Sequence, residues 1–215
     1  MIDPAEVASR VAEVREKIRN AGGHDVSLIA VTKTFPLVAI AAARDAGCDG
    51  VGENYAQELA EKASLGLPDI DVHFIGALQS NKVKMIAPFV TLWQTIDRES
   101  VIRELARRVP GAQILLQVNT THESTKGGVE PGEVEGLLLL ARDQGLDVRG
   151  LMTIGPTGGS VSEQESAFRT LRRLVDTYEL PVCSMGMSDD FEVAVACGST
   201  MVRIGSRLFG ARGGA

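Results

Sequence analysis

The chain has 215 residues, of which 44% are hydrophobic, and its 28 acidic and 22 basic side chains leave a formal net charge of −6. That length is enough for one large core and short of two independent ones, so residues 1–215 are expected to form a single domain. No basic run exceeds a pair of residues, which leaves no electrostatic footprint for nucleic acid or an anionic membrane surface.

The first predicted element is a helix. Asp3 can cap it with Pro4 at its first position, Val7, Val11, Val14 and Ile18 form one apolar stripe, and Gly22-Gly23 stops it. The first strand, Leu28 to Thr32, follows and delivers Lys33 at its end. A second run, Asp49 to Gly52, leads into Glu53-Asn54-Tyr55, and a third, Val72 to Gly76, into Ala77-Leu78-Gln79-Ser80-Asn81-Lys82. Thr91 to Ile96, Gln113 to Val118 and Val148 to Ile154 are the next three. The loops Thr125-Lys126-Gly127-Gly128 and Gly155-Pro156-Thr157-Gly158-Gly159 match no P-loop and read as strand-to-helix connections. Ser162 with Glu165 forms a predicted capping box before a stripe of Phe168, Leu171, Leu174, Val175 and Tyr178. Val182 to Met185 then enters a turn and a helix expected near Asp189, and Met201 to Ile204 enters Gly205-Ser206.

Strands alternating with helices imply parallel pairing and right-handed crossovers. Eight such strands predict a (β/α)8 barrel with an extra N-terminal helix. A doubly wound sheet is the alternative, but it would usually carry GxGxxG after its first strand, where this chain has Lys33-Thr34-Phe35-Pro36.

Other residue types narrow the chemistry. Cys48, Cys183 and Cys197 are odd in number and lack a CxxC, which fits buried thiols in a reducing compartment. His24, His73 and His122 do not pair at metal-ligand spacing, so no metal site is expected, and His73 reads as a structural histidine. The N-terminus has no basic segment followed by an apolar one, and no apolar stretch is long enough to cross a bilayer, so a cytoplasmic location is the expectation.

Lys33 is the strongest functional candidate. An amine at the carboxyl end of a parallel strand lies where barrels build their sites, and partial burial there favours its neutral, nucleophilic form. On position alone, snorkelling at a strand end explains it equally well. The far end of the chain adds two anion-cradle turns, Ser184-Met185-Gly186-Met187-Ser188 and Gly205-Ser206, where glycine admits a phosphate closely and serine hydroxyls donate to it. Each is weak alone: Ser188 also suits an N-cap, and Asp189 and Asp190 would repel an anion. Glu53, Asn54, Gln79 and Asn81 read either as ligand-orienting groups or as helix caps. Met152 and Met185 read as ring-packing or plain core residues. Gly186-Met187-Ser188-Asp189-Asp190 lacks the second glycine of GxSxG, which removes a serine-hydrolase reading. One cofactor asks for an amine, a partner for a ring nitrogen and a phosphate cradle together: pyridoxal 5′-phosphate, for which Lys33, Arg203 and the two turns can supply all three.

AVTK at Ala30 to Lys33, GENYAQE at Gly52 to Glu58, HFIGALQSNK at His73 to Lys82, RGLMTI at Arg149 to Ile154 and the long run from Ser184 to Arg212 together resemble the pyridoxal phosphate homeostasis proteins, the YggS/PROSC family. The resemblance spans almost the whole chain. It implies a barrel similar to the N-terminal domain of alanine racemase standing alone, a cytoplasmic cofactor carrier with no established catalytic residue, and pyridoxal phosphate-dependent apo-enzymes as candidate recipients. It further implies that Lys33 forms the Schiff base, that Arg203 lies near the pyridine nitrogen, and that Ser188, Gly205 and Ser206 hold the phosphate. Asn54 and Met152 would line the pocket. An amino-acid racemase is the alternative function, but racemisation needs two opposed bases, racemases of this fold draw a tyrosine from a second domain, and the chain's tyrosines are Tyr55 and Tyr178.

Overall fold

Alternation of side chains along eight short strands decides the architecture, because one face of each can point inward and the other toward helices. The computed structural model describes residues 2–210; Met1 and residues 211–215, which include Ala211 and Arg212 of the last motif, lie outside the described residues. The strands are β1 (Ser27–Val31), β2 (Gly50–Glu53), β3 (Val72–Phe74), β4 (Leu92–Ile96), β5 (Gln113–Gln117), β6 (Asp147–Met152), β7 (Val182–Ser184) and β8 (Met201–Ile204). They pair in parallel in chain order and close on themselves, with Ser27 opposite Met201 and Ala30 opposite Ile204 where β8 meets β1. The helices are α1 (Pro4–Asn20), α2 (Leu37–Asp45), α3 (Ala56–Ser64), α4 (Val83–Ile86), α5 (Glu99–Arg108), α6 (Val134–Asp143), α7 (Val161–Thr177), α8 (Phe191–Ala196) and α9 (Ser206–Phe209). The expected (β/α)8 barrel with its extra N-terminal helix is the observed fold.

The closed wall separates two cores. Leu28, Ala30, Val51, Phe74, Trp93, Ile114, Leu116, Leu151 and Val202 face the helices, whereas Ile29, Leu92, Leu115, Met152 and Met201 form a smaller apolar cluster with Ile154 and Val182. Register parity explains the split: Leu28 and Ala30 point one way, Ile29 the other.

Helix α1 starts where the sequence says, with the Asp3 carboxylate accepting from the Ala5 amide at 2.9 Å, and buries Val7, Val11, Val14 and Ile18. It packs on α2, α8 and α9, so the first helix touches both the first and the last units of the ring. Arg10 donates to the Leu208 carbonyl at 3.1 Å, and Arg15 donates to the Gly47 carbonyl at 2.6 Å and to Asp49 at 2.9 Å.

Two helix starts differ from expectation. The capping box of α7 is Ser160 with Glu163, not Ser162 with Glu165. Both pairs have the required spacing, but Ser160 takes the extended backbone of a cap and Ser162 then adds to the helix (Ser160 φ −63°, ψ 160°). Helix α8 begins at Phe191, because Asp190 turns its carboxylate back onto the Met187 amide at 2.6 Å and holds residues 188–190 as a turn.

At Gly150, in the middle of β6, a Cβ would lie 2.0 Å from the Val182 carbonyl oxygen, whereas one at Gly132 would meet nothing within 4 Å. Gly150→Ala is therefore expected to cost at least ~3 kcal/mol by forcing two paired strands apart, while Gly132→Ala leaves stability within about 0.5 kcal/mol. Urea unfolding of the two variants beside the parent protein measures both.

Candidate functional site at the carboxyl end of the barrel

Lys33 stands two residues beyond β1. The Thr32 amide still pairs with the Gly52 carbonyl at 3.0 Å, and the Phe35 amide closes the turn on the Thr32 carbonyl at 3.1 Å. Half-buried, Lys33 lines a small cleft of about 20 Å³ with Val31, Phe35, Gly205, Ser206 and Gly210. The pairing of β8 with β1 causes this meeting: Ala30 and Ile204 are opposite each other, so the residues just beyond them share one rim.

Beneath the rim, Arg203 is buried inside the barrel. One guanidinium nitrogen donates to the Ser184 hydroxyl at 2.6 Å and another to the Thr153 carbonyl at 2.8 Å. A guanidinium has donors and no acceptor, so it sets the direction of every bond that follows. Ser184 accepts from Arg203 and gives its own proton to Gln94 Oε1 at 2.7 Å. The Gln94 amide nitrogen then faces His73 Nδ1 at 2.8 Å and Met201 Sδ at 3.2 Å. His73 accepts at Nδ1 and carries its proton on Nε2, which is the neutral ring. Burial drives His73 the same way, lowering its pKa to about 4 against a smaller opposing effect of Asp71. Burial also lowers the Arg203 pKa to about 10, opposed by the charge of Asp190. At that value the guanidinium stays charged near neutral pH.

The remaining predicted residues fall into distinct places. The Gly186 carbonyl accepts from the Arg203 amide at 3.0 Å. Residue 186 has φ 98°, and any Cβ there would stand 2.7 Å from the Ala194 Cβ, so the position is suited to glycine alone. Ser188 is buried, and its hydroxyl receives the Gly205 amide at 3.4 Å while its carbonyl takes a bond from Arg207 Nε, so the turns after β7 and β8 are laced together. Burial raises the pKa of Asp190, and its carboxylate faces the Met187 amide. Asn54 lines a neighbouring cleft with Tyr55, Gln79 and Lys82, and its Oδ1 is buried with no partner among the described residues. Met152 belongs to the inner apolar cluster. Lys126 bonds Glu123 at 2.6 Å and also donates to the Gly155 carbonyl, joining the loops after β5 and β6.

The structure thus brings Lys33, Gly205 and Ser206 to one cleft and links Ser188 to it. Ser184 is different: both its bonds run to Gln94 and Arg203, inside the barrel and away from the turn. Sequence reasoning missed Gln94. Its signal was a polar amide between Trp93 and Thr95 in a buried strand, where such a group requires partners.

A family model described as alanine racemase, N-terminal domain, matches residues 2–213. Similar curated proteins include the pyridoxal phosphate homeostasis protein of Haemophilus influenzae, 39% identical over 91% of this chain and 89% of that one. The protein of the same description in Escherichia coli K12 is 37% identical over 96% of this chain and 97% of that one. Among solved structures, PipY of Synechococcus elongatus with pyridoxal phosphate bound superposes with a TM-score of 0.80 at 32% identity, covering 95% of this chain and all (100%) of that one. Alanine racemase of Corynebacterium glutamicum shares the fold, with a TM-score of 0.74 at 18% identity over 62% of its length.

The buried His73 makes stability depend on pH. Between pH 6.5 and about 4 the unfolded chain takes up a proton that the folded protein refuses at this ring. Stability is therefore whole above the unfolded value and falls as pH drops through the window, by up to ~3 kcal/mol from this one group. Urea midpoints of His73→Gln measured across that window are expected to fall less steeply than those of the parent protein.

Proposed function

This chain belongs to the alanine racemase N-terminal domain family, and we propose that it binds pyridoxal 5′-phosphate at the open end of its barrel through Lys33 and serves intracellular homeostasis of that cofactor, buffering or delivering it. The observation that carries the assignment is the single cleft shared by Lys33, Gly205 and Ser206, with the Arg203 guanidinium buried below it. Relatives described as pyridoxal phosphate homeostasis proteins, and PipY with the cofactor bound, support it.

The residues present fit the group. Lys33 offers an amine for the aldehyde, the Gly205-Ser206 turn opens α9 and is tied to the Ser188 hydroxyl, and both suit a phosphate monoester. Bound, the cofactor supplies an aldehyde and an electron-withdrawing ring. Arg203 would face the ring nitrogen as a donor, and its charge disfavours protonation of that nitrogen, which suits holding the cofactor more than activating it. Ser184 acts by fixing Arg203, and Gly186 by anchoring the Arg203 amide. Asn54, whose Oδ1 has no partner among the described residues, and Met152 would complete the pocket wall.

A racemase would need a second base opposite Lys33. Tyr55 is exposed beyond β2 and Tyr178 ends α7, and neither lines the Lys33 cleft. Among the described residues no helix is long and apolar enough to cross a membrane. We place the protein in the cytoplasm, acting as a single domain over residues 1–215, with pyridoxal phosphate-dependent apo-enzymes as recipients.

Protein loaded with pyridoxal phosphate is expected to be yellow, and Lys33→Ala colourless. Borohydride reduction followed by peptide mapping should place the pyridoxyl group on Lys33; finding it on Lys82, Lys84 or Lys126 would refute the assignment. Transfer from the loaded protein to an apo-enzyme, followed by the recovery of that enzyme's activity, tests the delivery role.

A further inference from the structure

Against the side of β2 that faces α3, three ionisable side chains surround the turn that carries Lys33. Glu53 is fully buried and Lys62 nearly so. The Lys62 ammonium donates to Glu53 Oε1 at 2.6 Å and lies 2.7 Å from Glu58 Oε1. The same ammonium donates to the Thr32 carbonyl at 2.9 Å, and the Thr32 hydroxyl donates to Glu53 Oε1 at 2.7 Å. On the other side of the lysine, the Thr34 amide donates to Glu58 Oε1 at 2.6 Å. Thr34 has φ 65°, a left-handed conformation that a β-branched residue resists. Both chain neighbours of Lys33 are therefore gripped by one ionic cluster.

Stability does not account for that cluster. Two carboxylates face one ammonium, Glu53 Oε2 is buried without a partner among the described residues, and apolar packing at such a place is commonly as stable as a buried ion pair. What charges provide and apolar groups do not is direction. Every bond named above either ends on Thr32 or Thr34 or places a carboxylate oxygen that receives one of them. The cluster thereby fixes a backbone the residue type itself disfavours.

We propose that Glu53, Glu58 and Lys62 are positioning residues for Lys33, holding the turn from Thr32 to Thr34 so that the lysine amine meets the carbonyl carbon of an aldehyde ligand. The proposal rests on the assignment of Lys33 given above. In the step it serves, the amine nitrogen adds to the aldehyde carbon, a C=N bond replaces C=O, and the oxygen leaves as water with the two amine hydrogens. The cluster touches neither reactant and acts through the backbone.

Two probes separate positioning from general damage. Pyridoxal phosphate can form the C=N bond, whereas 4-deoxypyridoxine phosphate has the same ring and phosphate with a methyl group in place of the aldehyde. Glu58→Ala removes the acceptor of the Thr34 amide at a side chain that is 23% exposed. It is expected to weaken pyridoxal phosphate roughly tenfold and to slow formation of the yellow species, while the deoxy analogue changes less than about twofold. Thr34→Gly in the same background should recover much of the loss, because glycine takes φ 65° without strain. Lys62→Met should show the same split between probes more strongly. Unchanged affinity for pyridoxal phosphate, equal weakening of both probes, or a Glu58→Ala loss that Thr34→Gly leaves untouched would each overturn the proposal. If Lys62→Met fails to fold, the Glu58→Ala pair of measurements decides. Parent protein that binds both probes equally, with no adduct on Lys33, would instead refute the Lys33 assignment and the positioning role with it.

Discussion

A guanidinium inside a β-barrel is the constraint around which this interior is arranged. Removing Arg203 from water carries a desolvation cost of several kcal/mol, and the cost is offset only where each donor finds an acceptor of good geometry. Because arginine can only donate, the partners cannot be chosen independently. Ser184 must accept and then pass its proton on, Gln94 must present its oxygen to Ser184 and its nitrogen to His73, and His73 must be neutral with its proton on Nε2. One charge on β8 therefore specifies the side-chain chemistry of β7, β4 and β3. An apolar filling at those positions would pack as well but would leave the guanidinium without a fixed orientation below the cleft.

The barrel wall carries a second polar arrangement on its other side. Inside, a single cation is relayed through neutral groups; toward α3, two carboxylates share one ammonium. Lys33 lies between the two, since its neighbour Thr32 is held by the outer cluster and Gly205, which shares its cleft across the β8 to β1 seam, follows directly after the strand that bears Arg203. Rigid strands set the coarse placement, and the two polar sets refine it. This division of labour matches the general need of a binding site for supporting groups whose own rotamers are locked.

Much of this was legible in the residues. Eight apolar runs separated by helical stripes declare the barrel, because both signals depend only on local periodicity. Lys33 and the Gly205-Ser206 turn were legible for a related reason: strand order in a closed barrel brings the ends of the first and last strands together. What could not be read depends on parity and distance at a finer scale. Ser184 and Ser188 look alike in sequence, yet one ends β7 inside the wall and the other lies in the turn beyond it. Lys62, four residues after Glu58 on α3, has the appearance of an ordinary solvated helix pair, and only its packing against β2 shows it buried. Ser160 and Ser162 are equivalent as caps until the backbone chooses.

The seat of α1 has a consequence for how the molecule is made. This helix is synthesised before every strand of the barrel, yet its buried face rests on α8 and α9, which follow the other helices, and Arg10 reaches the Leu208 carbonyl. Lys33 emerges from the ribosome long before Gly205 and Ser206, so a nascent chain presents the amine while the opposite rim does not yet exist. On the proposed assignment of the cleft, cofactor capture waits until β8 and α9 have been made. The same seam joins the first helix to the last one, and a chain cut short before β8 would lose the α9 part of that helix's docking surface together with the Gly205-Ser206 side of the cleft.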